Sequence, residues 1–145
     1  MTVRESILEN LRTTIAAVAG IANVQRWRQS GNSILNVPCV VINAGPEEKD
    51  PTPNPFTTCR LTVYLDIWTR QDASDPQATD TILNDLLGAI EKAIMQDVTR
   101  GGFAKDTNIK SNVLFETLEG QPQTGIVMEI EIIYQHKQDD PEIAG

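Results

Sequence analysis

Residue types that carry catalysis or hold metals are scarce in this chain. It has one histidine, His136, and two cysteines, Cys39 and Cys59. A structural zinc site needs about four Cys or His ligands in a characteristic spacing, and a disulfide framework usually needs more cysteines and a secretory context. We therefore predict no metal and no cofactor, and we expect both cysteines to be free thiols in apolar strands.

The motifs of nucleotide-binding and hydrolytic enzymes are missing as well. The chain has no GxxxxGK[ST] phosphate loop, no GxGxxG after a predicted strand and no GxSxG nucleophile elbow. Carboxylates cluster at 47–50 and 139–142, but their spacing matches no calcium loop. We predict that the protein is not an enzyme. One alternative stays open, a small hydrolase or ligand-binding domain that uses His136, although we expect this side chain to be solvated at a strand end.

Long apolar runs and an excess of positive charge are also lacking. No run is long enough to cross a bilayer, and no charged-then-apolar leader opens the chain. We therefore expect synthesis in a reducing cytoplasm and no membrane partner. The net charge is -8, which disfavours tight DNA binding because that binding depends on cations that meet phosphates. Such charge fits solubility, or a surface past which DNA moves without sticking.

Two segments have the periodicity of amphipathic helices. The first, over 2–20, starts with Thr2 and Glu5 at capping-box spacing and stops near Gly20. The second, over 73–97, starts with Asp75 followed by Pro76, a cap and a first-turn proline. Each helix carries one apolar stripe, made of Val3, Ile7, Leu8, Leu11, Ile15 and Val18 in the first and of Ile82, Leu83, Leu86, Leu87, Ile90 and Ile94 in the second.

Strand patterns occupy most of the remaining chain. They cover a short segment at 23–29, an apolar run at 39–45, the regular strand "TTCRLTVYLDIWTR" at 57–70 and a hairpin at 113–137. Neighbouring strands and two one-sided helices predict a single α+β domain over 1–145. Its sheet is mostly antiparallel or mixed, with about five strands and the two main helices packed on one face.

Three connections are predicted to lie outside this framework. A proline-rich loop or arm covers 45–56, because four prolines within it argue against a helix or a central strand. A second loop covers 99–112 and turns at Gly101 and Gly102. An acidic C-terminal tail covers 137–145. The arm and the second loop are our candidates for contact with partner proteins.

One face of the regular strand is apolar and the other is mixed. The mixed face places two aromatic rings among charged residues, which indicates partial cover by a helix or by another subunit. We predict an oligomer interface at Trp27, Arg60, Tyr64, Asp66 and Trp68. On the arm, we predict a partner-contact loop at Glu47, Glu48, Asp50 and Phe56.

The organisation of the whole chain resembles that of the phage tail terminator, or tail completion, family. The likeness lies in a leading helix "ESILENLRTTIAAV", a strand "LTVYLDIWTR", a helix "SDPQATDTILNDLLGAI" and a closing "GIVMEIEIIYQHKQDDP". This resemblance implies an α+β structural virion protein without catalysis. It also implies a ring, commonly of six copies, that caps the tail tube, stops its polymerisation and offers a surface to the head.

The resemblance also implies partners and a location. The partners are sister copies in a homohexamer, the tail tube protein and the head-side connector or stopper protein, with DNA only as passing cargo. The location is the head-proximal end of the virion tail, after synthesis in the host bacterial cytoplasm. Part of the negative charge is then expected to line the channel and repel DNA. Another head–tail connector or neck component, or the terminator of a contractile tail, fits the same pattern.

Overall fold

The structure, a computed structural model, describes residues 1–26, 37–51, 55–71, 74–114 and 123–145. It contains two helices, α1 (Val3–Ala16) and α2 (Pro76–Met95). Six strands accompany them: β1 (Asn23–Gln25), β2 (Cys39–Pro51), β3 (Phe56–Arg70), β4 (Asp106–Leu114), β5 (Gln123–Lys137) and β6 (Asp140–Ala144).

Both helices begin where the sequence predicts. The backbone N–H of Glu5 donates to the Thr2 hydroxyl at 3.1 Å, and the N–H of Ala78 donates to the Asp75 carboxylate at 3.1 Å. Each side chain thereby satisfies one of the free N–H groups of a first helical turn. Helix α1 ends at Ala16, earlier than predicted, and Gly20 follows with a φ of 92°.

The sheet confirms the predicted fold class. Its strand order is β1-β2-β3-β5-β4, and β6 pairs with the end of β5. The β1–β2 pair is parallel, and every other pair is antiparallel. Both helices pack on one face of the sheet, where their apolar stripes meet alternate residues of β3 and β5 in one core. This core includes Ile7, Leu11, Ile15, Leu61, Val63, Leu65, Ile67, Ile90, Ile94, Met128, Ile130 and Ile132.

The prediction of an irregular arm at 45–56 is wrong in its secondary structure. Strand β2 continues to Pro51 and β3 begins at Phe56, so most of this segment is a β-hairpin. Among the described residues, β2 beyond Val41 pairs only with β3, as an edge strand does. The register shifts between Ala44 and Glu47, which accommodates Pro46 at a bulge, and edge strands and bulges are where sheets tolerate proline.

The predicted acidic tail and second loop are also shorter than expected. The chain turns after Lys137 and returns as β6, and the N–H of Gly145 donates to the Gln135 carbonyl at 3.0 Å. Strand β4 begins at Asp106, inside the predicted loop at 99–112. Its inward residues Thr107 and Ile109 are too few to reveal the alternation in a polar stretch. The predicted turn at Gly101 and Gly102 is confirmed by their positive φ angles.

Candidate functional site

The sheet face opposite the helices is the first candidate site, and we call it the outer face. Strand β3 alternates buried residues, which face the helices, with half-buried or exposed residues on the outer face. Within the described ranges, neither helix contributes to this side, because the buried residues of both lie in the core on the other. The outer face includes Val41, Asn43, Glu48, Asp50, Arg60, Tyr64, Asp66, Trp68, Ser111, Val113, Val127, Glu129 and Glu131.

Four of the five residues predicted for an oligomer interface lie on the outer face. Tyr64, Asp66 and Trp68 are half-buried, and Arg60 is exposed. The amide of Asn43 donates to the Asp66 carboxylate at 3.1 Å. Trp68 packs against Cys39 and Val41 in a small second cluster, so this end of the face is partly filled within the subunit. The fifth predicted residue, Trp27, lies outside the described residues.

Charges of both signs cross the middle of the outer face. Arg60 and Lys110 flank the Glu131 carboxylate at 3.7 and 3.9 Å, and the Ser111 hydroxyl donates to Glu129 at 3.3 Å. Glu48 lies opposite Arg60 on β2 and is exposed. Exposed pairs of this kind contribute little stability on their own. They leave a mixed surface of aromatic rings, valines and paired charges.

The four residues of the predicted partner-contact loop do not share one surface. Glu48 and Asp50 are exposed on the outer face, and Phe56 is half-buried at the start of β3. Glu47 instead lies on the helix side, and its side chain is 11% exposed. The bulge between Ala44 and Glu47 causes this, because it advances β2 by three residues against two of β3 and reverses the alternation.

Glu47 belongs to a second candidate site that sequence reasoning missed. Arg4, Glu47, Lys49, Tyr134 and His136 meet on the helix side, and we call them the polar cluster. The Tyr134 hydroxyl donates to one Glu47 oxygen. Arg4 lies 3.4 Å and Lys49 3.7 Å from the other. The contacts between β2 and β5 in this cluster join residues 87 positions apart. Short-range sequence patterns therefore do not predict them.

His136 is buried, so the expectation of a solvated side chain is wrong. It is 6% exposed, with Lys49 Nζ 3.0 Å from its Nε2 and the Lys137 carbonyl 2.7 Å from its Nδ1. An ammonium group only donates, so Nε2 accepts and Nδ1–H donates to the carbonyl. Both nitrogens are engaged without a hydroxyl or thiol, which gives the hydrolase alternative no support.

Burial sets the chemistry of Tyr134 and of the two cysteines. It raises the pKa of Tyr134 above its ordinary value, and the neighbouring Glu47 carboxylate raises it further, so this hydroxyl stays a neutral donor. Burial likewise raises the pKa of the Cys59 and Cys39 thiols. Both are buried and free, as the sequence predicts. A raised pKa keeps a thiol protonated and makes it a poor nucleophile.

A third group of charges fixes β1 to α1. The Arg26 guanidinium donates to both oxygens of Glu5, and the bond from its Nη2 is 3.1 Å long. It also donates to Glu9 at 2.9 Å. Arg12 donates to Glu9 at 3.1 Å. These hydrogen bonds lower the pKa of Glu5 and Glu9. Carboxylates with a lowered pKa stabilise the fold above their ordinary pKa of about 4.3, and this contribution is lost as the pH falls through the folded-state values.

Replacing Arg26 with glutamine is therefore expected to weaken the protein at neutral pH but not in acid. Urea unfolding at several pH values between 7 and 3 measures the effect. We expect the variant to be less stable than the parent at pH 7, with a difference that shrinks toward pH 3. The exposed Arg70 changed to glutamine is the matched control. A difference that persists undiminished in acid would contradict the role assigned to Arg26.

Within the described ranges, no group of three or more His, Cys, Asp or Glu side chains is placed to hold a metal ion. Neither described helix combines the length and the apolarity that crossing a bilayer requires. A comparison with protein-family models matched none of them, and a comparison with curated proteins found no significant relative.

Proposed function

We propose that this chain is a structural protein that forms a ring at the end of a phage tail tube. The ring stops tube polymerisation and provides the head-to-tail joining surface. The observation that carries the proposal is the outer face, where Tyr64 and Trp68 lie half-buried on a sheet without a described helix over it. The type of assembly, a ring on a tail tube, is inferred from the resemblance of the whole chain to tail terminators.

A sister copy is a suitable cover for the outer face. Its aromatic rings and valines favour burial, and its paired charges suit the wet, partly polar surfaces typical of protein interfaces. In a ring, each copy uses two different patches, one for each neighbour, and the rotation closes on itself. The outer face is one such patch. Asp50 and Glu48 are exposed at the hairpin end of the outer face. In the proposed ring this end stays uncovered and contributes to the acidic lining that lets DNA pass.

The buried polar groups suit an assembly role. Tyr134 bonds to Glu47, and His136 bonds to Lys49. These hydrogen bonds link β5 to β2 at one end of the sheet. The partners of the proposal are sister copies, the tail tube protein and the head-side connector or stopper protein. DNA is only cargo in the channel, and no catalysis is involved.

Two measurements test the proposal. Light scattering and electron microscopy of the purified protein are expected to show rings of uniform size, commonly of six copies. In the phage that encodes it, loss of the protein is expected to give tubes longer than normal. Overlong tubes distinguish a terminator from another connector or neck component, whose loss leaves tube length unchanged. A chain that stays monomeric at every concentration refutes the ring.

Charge reversal at the outer face is expected to weaken assembly more than folding. In Asp66→Lys, a cation replaces the carboxylate that accepts from Asn43, in the centre of the proposed interface. We expect subunit association at least tenfold weaker, measured by analytical ultracentrifugation, and a melting temperature within a few degrees of the parent. Glu91→Lys, on the exposed side of α2, is the matched control. If the two variants associate equally strongly, the outer face is not part of the interface.

A further inference from the structure

The polar cluster surrounds a small cavity that the proposed ring does not use. Thr2 and Arg4 line it from the start of α1, Glu47 and Lys49 from β2, and Tyr134 and His136 from β5. Its volume is about 150 Å³. One water takes about 30 Å³ of liquid volume, so the space holds about five waters or one small polar ligand.

Positive charge exceeds negative charge among the residues that line this cavity. Arg4 and Lys49 carry two cations, and Glu47 carries one carboxylate. The guanidinium has five N–H donors and the ammonium three. Glu47 meets them at 3.4 and 3.7 Å, beyond the usual length of a charge-assisted hydrogen bond, and gives its other oxygen to Tyr134. Lys49 also donates to His136. The contacts of the described residues thus leave N–H donors of both cations available to a ligand.

We infer that this cavity binds a small tetrahedral oxyanion of the phosphate class. Arg4 and Lys49 would both contact its oxygens, because both line the same space and both lie within 4 Å of the same Glu47 oxygen. The adjacent N-terminus of α1 adds a favourable field for negative charge. The site lies on the helix side of the sheet, away from the outer face, and the inference does not depend on the ring.

The single histidine makes the test direct. His136 lines the cavity and is the only imidazole in the chain, so its ring signals in an NMR spectrum are unambiguous. Inorganic phosphate is titrated into labelled protein at constant pH and ionic strength, with chloride as the balancing ion. We expect the His136 ring signals to shift in a saturable manner. Lys49→Gln and Arg4→Gln are each expected to weaken this binding at least tenfold.

The control is Lys105→Gln, which removes an exposed cation outside the cavity and is expected to leave phosphate binding unchanged. Backbone spectra of each variant show whether it is folded, and having two cavity variants keeps the test valid if one of them is not. A shift that stays linear, or that chloride reproduces, overturns the site. So does equal phosphate binding in the parent and in a folded cavity variant.

Discussion

Leu65→Ala is expected to lower the free energy of unfolding by about 3–4 kcal/mol, within the range of buried leucine truncations. Leu65 is fully buried in the middle of β3, between Ile42 of β2 and Met128 of β5. It faces the helices, so truncation leaves a cavity between the two layers that a central strand cannot close. For a domain of this size, the loss corresponds to a melting temperature lower by about 10 °C.

Ile82→Ala provides the comparison for Leu65→Ala. Ile82 is also a large aliphatic residue, but it is 45% exposed on α2. Its truncation is expected to cost less than about 1 kcal/mol, because little apolar surface returns to water. Chemical denaturation of both variants, at protein concentrations where the oligomeric state is the same, gives the two values. Similar costs at the two positions would contradict the packing of the helix layer on this face of the sheet.

The elements that sequence predicted well are those in which burial is one-sided and periodic. Strands β3 and β5 alternate so regularly because the helices cover only one of their faces, and the inward residues from Cys59 to Ile67 and from Ile126 to Ile132 are all apolar. Thr2 and Asp75 marked the helix starts because capping is a local interaction between residues close in sequence. Local rules therefore sufficed for the helices, the central strands and the α+β class.

The bulge in β2 is the feature that local rules missed. Counting prolines predicted an arm, but Pro46 and Pro51 sit where an edge strand tolerates them. The same bulge turns Glu47 inward, away from Glu48 and Asp50, and brings it to Tyr134. Because the two residues are 87 positions apart, only the strand register creates the polar cluster. The predicted interface residues were easier to place, since β3 alone contributes the four of them that the structure describes, Arg60, Tyr64, Asp66 and Trp68.

Tyr134→Phe is expected to destabilise the protein by about 1–3 kcal/mol, although phenylalanine fills the same space. Tyr134 is 2% exposed, and its hydroxyl donates to Glu47, whose side chain is 11% exposed. The variant leaves a largely buried carboxylate oxygen without this donor. Most of the cost arises because this oxygen has given up water on folding and no longer gains the hydrogen bond in return. Tyr64→Phe, on the outer face, is the matched control and is expected to change stability by no more than about 0.5 kcal/mol.

A double-mutant cycle with Glu47→Gln separates the hydrogen bond from the loss of the hydroxyl itself. If Tyr134 acts through the Glu47 charge, the cost of Tyr134→Phe falls in the Glu47→Gln background, and an unchanged cost refutes the coupling.

The contribution of Tyr134 to stability depends on pH with a definite sign. Because the pKa of Tyr134 is raised in the fold, its contribution is complete below the ordinary tyrosine value of about 10 and is lost as the pH rises above it. Tyr134→Phe is therefore expected to flatten the alkaline limb of the stability curve.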